Sequence, residues 1–316
     1  MSATATRAAT PSRAVPAGGS RPSPGRRRRR IKQGLTPWLF LLPALAIFAI
    51  FKFWPVLYGM WLSFFEVRPY LGNLWIGLGN FERAVTDPAL GSAALHTLID
   101  AAAAVGLSML FGFLLALLLE GPALHLRLIR TAAFLPVVAA LVVVAQLWDV
   151  IMYPSSYGML NSFLGFFGMG PNEFLSDPDQ ALASVILIQV WKHAPYDMVI
   201  FIAGLAGIDR QLYEAADIDG ANRWQRLRFI TIPALRPVIT IVLMLGIIRG
   251  LRVFTEVFVL TNGGPAGATE MIVTYLYKTG IELGDFGYAS AISTMLLLVT
   301  IVATSVTNWI RGRKED

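Results

Sequence analysis

The chain has 316 residues and a mean hydropathy of +0.60; 55% of its residues are hydrophobic and only 15% are charged. Soluble domains carry about 25% charged residues, so this composition excludes an ordinary soluble globular protein and points to the membrane. The absence of cysteine excludes disulfides, thiolate metal sites and cysteine nucleophiles, while the net charge of +6 has meaning only once its residues are placed.

Residues 1–30 are rich in Ala, Ser, Pro and Arg and end in the run Arg26–Arg30. Such a segment cannot bury enough apolar surface to order itself, so a disordered basic cytoplasmic tail is predicted. The first apolar stretch, roughly 36–64, follows directly. Ala44-Leu45-Ala46 mimics a signal-peptide cleavage site, but apolar residues run on to Phe65, past the about 7–15 residues of a signal peptide's apolar region. The segment 31–66 is therefore predicted as an uncleaved transmembrane helix, with Lys52 snorkelling near its outer end. Further apolar stretches lie at roughly 95–119, 131–150, 181–205, 238–260 and 288–310. Each has about 20 residues or more, enough to cross a hydrocarbon core of about 30 Å at about 1.5 Å per residue. The predicted fold is an all-α polytopic membrane protein with six transmembrane helices. A transmembrane helical domain is predicted over 90–310, and a cytoplasmic tail over 311–316.

Placing the N-terminus inside and alternating the spans puts nineteen of the 26 Lys/Arg residues in cytoplasmic segments. Only Arg68, Arg83 and Lys278 fall outside, and four lie within spans. The positive-inside rule then sets both termini in the cytoplasm. The basic residues follow topology, so no nucleic-acid partner is implied. The segment 206–236 is cytoplasmic too, and contains "RQLYEAADIDGANRWQRLRFITIP". Asp209 is a predicted N-cap for a short helix, and Gly220 a natural stop. A second helix is predicted from Ala221 to Ile230, ending before Pro233. Ala215 and Ala216 would give a small face that a partner can approach, and Glu214 a charge for register. The same features also fit an amphipathic helix lying on the membrane.

Ionisable groups inside spans are functional candidates by default. Gln189, His193, Tyr196 and Asp197 fall on one helical face, and Arg249, Arg252 and Glu256 on another. Lys192 and Pro195 lie beside the first face, and the proline could open the backbone there. These seven residues are the expected solute pathway; internal pairing, such as Arg252 with Glu256, explains them equally well. Trp191, Tyr196, Phe254 and Phe258 are aromatic side chains available in these spans, although aromatics in spans more often pack or sit at interfaces. His96, His125 and His193 are too scattered for a metal site. On the outer side, 151–180 and 261–267 carry turn signals. Asn262-Gly263-Gly264-Pro265 would border an outer gate or touch an external partner, or simply end the fifth span.

Glu214-Ala215-Ala216, three residues, Gly220, nine residues and Ile230-Thr231-Ile232-Pro233 resemble the EAA loop of ABC importer permeases. The flanks "WKHAPYDMVIFIAGLAGIDRQLYEAADIDGA" and "VFVLTNGGPAGATEMIVTYLY" are similar to the carbohydrate-uptake branch, including maltose and glycerol-phosphate permeases. The resemblance is strongest over 185–295; Ile232 stands where leucine is common. It implies a five-helix, MetI-like importer-permease core plus an N-terminal helix, in a bacterial or archaeal cytoplasmic membrane. It also implies that Glu214, Ala215, Ala216, Asp219 and Gly220 couple the permease to an ATPase. The implied partners are a second, different permease, two copies of a cytoplasmic ABC ATPase and an extracellular or periplasmic solute-binding protein. The chain has no G-x-x-x-x-G-K-[ST] phosphate loop, so it is expected not to be an enzyme, to hold no cofactor, and to leave ATP and Mg to the ATPase. A self-contained secondary transporter or a channel is the competing reading, against which stands the lack of a convincing internal repeat.

Overall fold

The computed structural model describes residues 38, 40–68 and 70–312; the predicted tail 1–30 and residues 313–316 lie outside them. The chain divides into two units, one ending at Leu57 and one starting at Tyr58. Helix α1 (Phe40–Leu62) is apolar except for Lys52 and exposed up to Leu57, as lipid contact requires. Beyond it, the strands β1 (Phe65–Glu66) and β2 (Leu74–Trp75) pair antiparallel, with Phe65 opposite Trp75. The Asn80 amide, on α2 (Gly79–Thr86), donates to the Ser63 and Phe65 carbonyls at 2.9 Å each and ties this small ribbon to the helix.

Helix α3 (Pro88–Leu119) starts with an Asp-Pro pair. The Asp87 side chain accepts from Ala89 N–H at 2.9 Å, and proline takes a position whose N–H has no helical partner. Asp87 also accepts from the hydroxyls of Tyr275 and Tyr288, at 2.6 and 2.7 Å. Burial works against its charge, but these hydroxyls and the Ala89 and Leu90 N–H groups hold the carboxyl below its usual range. Helix α7 (Pro178–Leu205) starts the same way, with Asp177 accepting from Asp179 N–H. Both helices begin several residues before the predicted spans, because the hydropathy signal ignores their polar capped turns. Pro195 does not open α7, which runs through it unbroken.

Two predicted spans are broken. The stretch predicted at 131–150 is α4 (Leu124–Val138) followed by α5 (Leu141–Ile151), bent by 99°. Ala139 and Ala140 are extended between them, shortly after Pro136. Lys192 Nζ donates to the Ala139 carbonyl at 3.1 Å, satisfying a group that the break frees. The stretch predicted at 238–260 is α10 (Arg236–Leu251) and a separate α11 (Thr255–Leu260). The N–H groups of Arg252 and Val253 reach back three residues instead of four, and the helix ends there.

Between α7 and α10 lie α8 (Arg210–Ile218) and α9 (Arg223–Ala234), the latter bent 66° from α10. The chain closes with α12 (Ile272–Tyr277) and α13 (Phe286–Gly312). Among the described residues, four helices are long and apolar enough to cross a membrane, or up to six if each bent pair is one span.

α3 and α7 pack along each other, with α10 against α3. Gly112 permits the first contact: a Cβ there would lie 2.8 Å from the Ala194 carbonyl oxygen and 2.8 Å from Asp197 Cβ. Gly112→Val should therefore force α3 and α7 apart, with an overpacking penalty of about 1–3 kcal/mol. A lowered thermal midpoint of the purified chain in detergent checks this; an unchanged midpoint would mean that the helices separate without loss.

Candidate functional site: a charged cavity and a cytoplasmic knob

A cavity of about 330 Å³ opens between α3, α7 and the end of α10. This is at the small end of the about 300–1,000 Å³ typical of small-molecule sites. Five of the seven predicted pathway residues line it: Gln189, His193, Arg249, Arg252 and Glu256. Arg249, Arg252 and Glu256 do not share one helical face as expected, since the helix stops between them; the break itself brings them round the cavity.

The other two predicted residues do not line it: Asp197 is buried behind the wall and Tyr196 is exposed. Asp197 is 1% exposed and accepts from Arg249 Nη2 at 3.1 and 3.4 Å. Tyr196 places its ring 5.7 Å from the Arg249 guanidinium. Glu256 pairs with His193 at 3.6 Å and not with Arg252, which follows the end of α10. Arg252 makes no ion pair among the described residues.

Sequence reasoning missed the α3 side of the cavity. Gln189 Nε2 donates to Asp100 Oδ1 at 2.8 Å, and Asp100 is wholly buried with Oδ2 unpartnered. The rule that found Arg249, an ionisable group inside an apolar stretch, applies equally to Asp100. Asp100 is buried behind the cavity, whereas Ser108 lines it, and nothing in the sequence marks Ser108.

The knob forms as expected at its start: Asp209 accepts from Gln211 N–H at 2.9 Å. Gly220 has φ +71°, the left-handed turn for which glycine is suited. Asn222 and Gln225 then form a reciprocal capping box, so the second helix begins at Arg223. That helix does not stop before Pro233 but runs to Ala234 through a wider turn at Leu227–Thr231. Asp217 and Arg226 link the two helices at 2.5 Å, and the Tyr213 hydroxyl lies 2.9 Å from Thr231 Oγ1.

Ala216 requires a correction. It is buried, because it faces inward across the turn, and only Ala215 contributes to the exposed small face. Glu214 and Asp219 are exposed, Glu214 lying 3.3 Å from Arg210. Ile218 is 88% exposed beside them, with Leu212 and Trp224 also open to solvent. These apolar side chains could have been found from the sequence as large residues on the polar face of a short helix.

The predicted outer turn is held by polar contacts. Asn262 has φ +48° and Gly263 φ +80°, and the Gly264–Pro265 peptide is cis. Lys278 Nζ donates to the Asn262 carbonyl at 2.9 Å and pairs with Glu270 at 2.5 Å. Thr269 Oγ1 donates to the Gly264 carbonyl at 2.6 Å.

Broken and unbroken apolar helices around a charged cavity, with a polar knob in one loop, define a membrane transport protein. The chain belongs to the family described as the binding-protein-dependent transport system inner membrane component, which matches residues 17–315. The trehalose/maltose transport system permease protein MalF of Thermococcus litoralis is 32% identical over 270 residues, covering 85% of this chain and 91% of that one. The lactose transport system permease protein LacF of Rhizobium radiobacter is 34% identical over 271 residues, covering 84% and 90%. Among solved structures, a bacterial alginate ABC transporter in complex with an alginate pentasaccharide-bound periplasmic protein matches with a TM-score of 0.79 at 26% identity, covering 90% of this chain and 96% of that one. Family membership displaces the secondary-transporter and channel readings: the chain is a transport permease, with the all-α, MetI-like fold that the motif implied.

Proposed function

We propose that this permease carries a sugar or sugar derivative as one subunit of an ATP-driven importer. It works beside a second permease, two copies of a cytoplasmic ABC ATPase that holds ATP and Mg, and an external solute-binding protein. The observation that carries this reading is the exposed, capped helix α8 with its Gly220 turn, projecting between α7 and α10 in a chain of this family. Closure of the ATPase subunits would press on Glu214, Ala215, Asp219 and Gly220. α8 is joined to α9 by the Asp217–Arg226 pair, so the push passes into α10, which carries Arg249 and is followed directly by Arg252. The carbohydrate class is supported by the names of the relatives and by a cavity lined with amide, imidazole, carboxylate and guanidinium groups, which suit hydroxyl-rich solutes. Asn262, Gly263, Gly264 and Pro265 would border the outer gate. The test is purification from native membranes, with the ATPase expected to co-elute and the reconstituted complex expected to take up a sugar only with ATP and its binding protein. Recovery of the chain without any ATPase, or ATP-independent uptake, would overturn it.

The inner-membrane location with both termini cytoplasmic is part of the proposal and has its own test. The chain has no cysteine, so single thiols report without background. Ala266 and Asn222 are both exposed. In intact cells, Ala266→Cys should react with an impermeant thiol reagent, and Asn222→Cys only after permeabilisation. External labelling at 222 would reverse the orientation and remove the coupling role of the knob.

A further inference from the structure

The segment joining α5 to α7 contains the short helix α6 (Met159–Gly165) and lies at the end of α7 opposite the knob. We propose that it is an interfacial anchor, laying one aromatic face into the headgroup region of the lipid bilayer.

Its two faces differ sharply. Leu160 and Leu164 pack against the apolar cluster that includes Val185 and Ile188 of α7. Phe163 on α6, Tyr157 before it and Phe166 and Phe167 just after it are exposed instead, Phe166 at 87%, and the rings of Phe163 and Phe167 meet edge to face at 5.5 Å. The platform is built: the buried Asn161 amide donates to the carbonyls of Ser155 at 3.1 Å and Asn172 at 2.9 Å, and its oxygen accepts from Asn172 N–H at 2.9 Å. An exposed apolar patch of this kind marks either a protein contact or a membrane contact.

Charge and depth decide for lipid. No charged residue occurs from Val150 to Asn172, so the face lacks the charges by which a soluble partner is steered and placed in register. α7 has 28 residues, about 42 Å at 1.5 Å per residue, against a hydrocarbon core of about 30 Å. That leaves about 6 Å at each end. Val185 lies seven residues inside Pro178, about 10 Å along the helix, and so within the hydrocarbon. A helix packed on the cluster containing Val185 lies at the boundary between headgroups and hydrocarbon, where interfacial helices bury Phe and Leu side chains.

The test uses single cysteines at Phe163, Phe166 and Phe167, each spin-labelled. The full chain, with whatever subunits co-purify, is placed in nanodiscs of phosphatidylethanolamine and phosphatidylglycerol. These positions are exposed, so labelling leaves the packing intact, and Asn222→Cys serves as a water-facing reference. Collision with oxygen should exceed collision with a water-soluble nickel chelate at all three positions, and the reverse should hold at 222. Nickel accessibility equal to that at 222 would overturn the anchor. So would protection from both quenchers, which would assign the face to a neighbouring protein chain. A third overturning result is protection appearing only when a solute-binding protein is added.

Discussion

Gly220→Val and Ala215→Trp are each expected to abolish uptake while the chain still inserts with its normal topology. Gly220 has φ +71°, and a Cβ added there would have no neighbour within 4 Å, so valine would fit in space but not in backbone conformation. The left-handed region costs a non-glycine residue roughly 1–2 kcal/mol, and more for a β-branched one. Relief of that strain would move Asp219 and the capping box at Asn222, and with them the angle between α8 and α9. Ala215→Trp leaves the turn alone and places a large ring on the exposed face, where a partner groove must come close. Ala216→Trp is the poorer test, since a buried ring would disrupt the knob itself. Neither chosen change touches the cavity residues. The readouts are ATPase co-purification and uptake by reconstituted vesicles. If both variants keep the ATPase and transport at the normal rate, α8 does not transmit the ATPase cycle.

The sequence showed where apolar material is dense enough to cross a membrane, and the caps and turns that polar residues write locally. Asp209 before α8 and Gly220 after it were legible because a side-chain acceptor and a missing Cβ each have one common structural use. The Asp-Pro pairs at Asp87 and Asp177 were legible by the same logic, but a hydropathy window cannot see a polar first turn. The breaks at Ala139–Ala140 and at Arg252 were hidden, because an apolar run keeps its composition when the backbone changes direction. Arg249, Arg252 and Glu256 do line one cavity, but through the break and not through the single helix that was to align them. Asp197 shows a further limit: helical spacing gave its face, but only the fold shows that Arg249 comes from α10 to meet it. The inward turn of Ala216 belongs to the same class, because two adjacent alanines on a short helix point in different directions.

Arg249→Ala should be the most damaging change in the cavity, and it separates structure from transport. Both oxygens of Asp197 accept from Arg249, while Asp197 is 1% exposed and packed beside Gly112. Removing one partner of a buried pair leaves the other charge uncompensated, a penalty of about 3–5 kcal/mol. Arg249→Ala alone should thus lower both the thermal midpoint and uptake. Adding Asp197→Asn removes the stranded charge, so the double variant should regain much of the midpoint without regaining transport. Arg252 has no ion-pair partner among the described residues, so Arg252→Ala should reduce uptake and leave the midpoint near that of the parent. Melting in detergent and ATP-driven uptake into vesicles, measured on the three variants together, decide the matter. Equal midpoints for the Arg249 single and double variants would show that the pair does not hold α10 to α7. Parental uptake in all three would remove both arginines from the solute pathway.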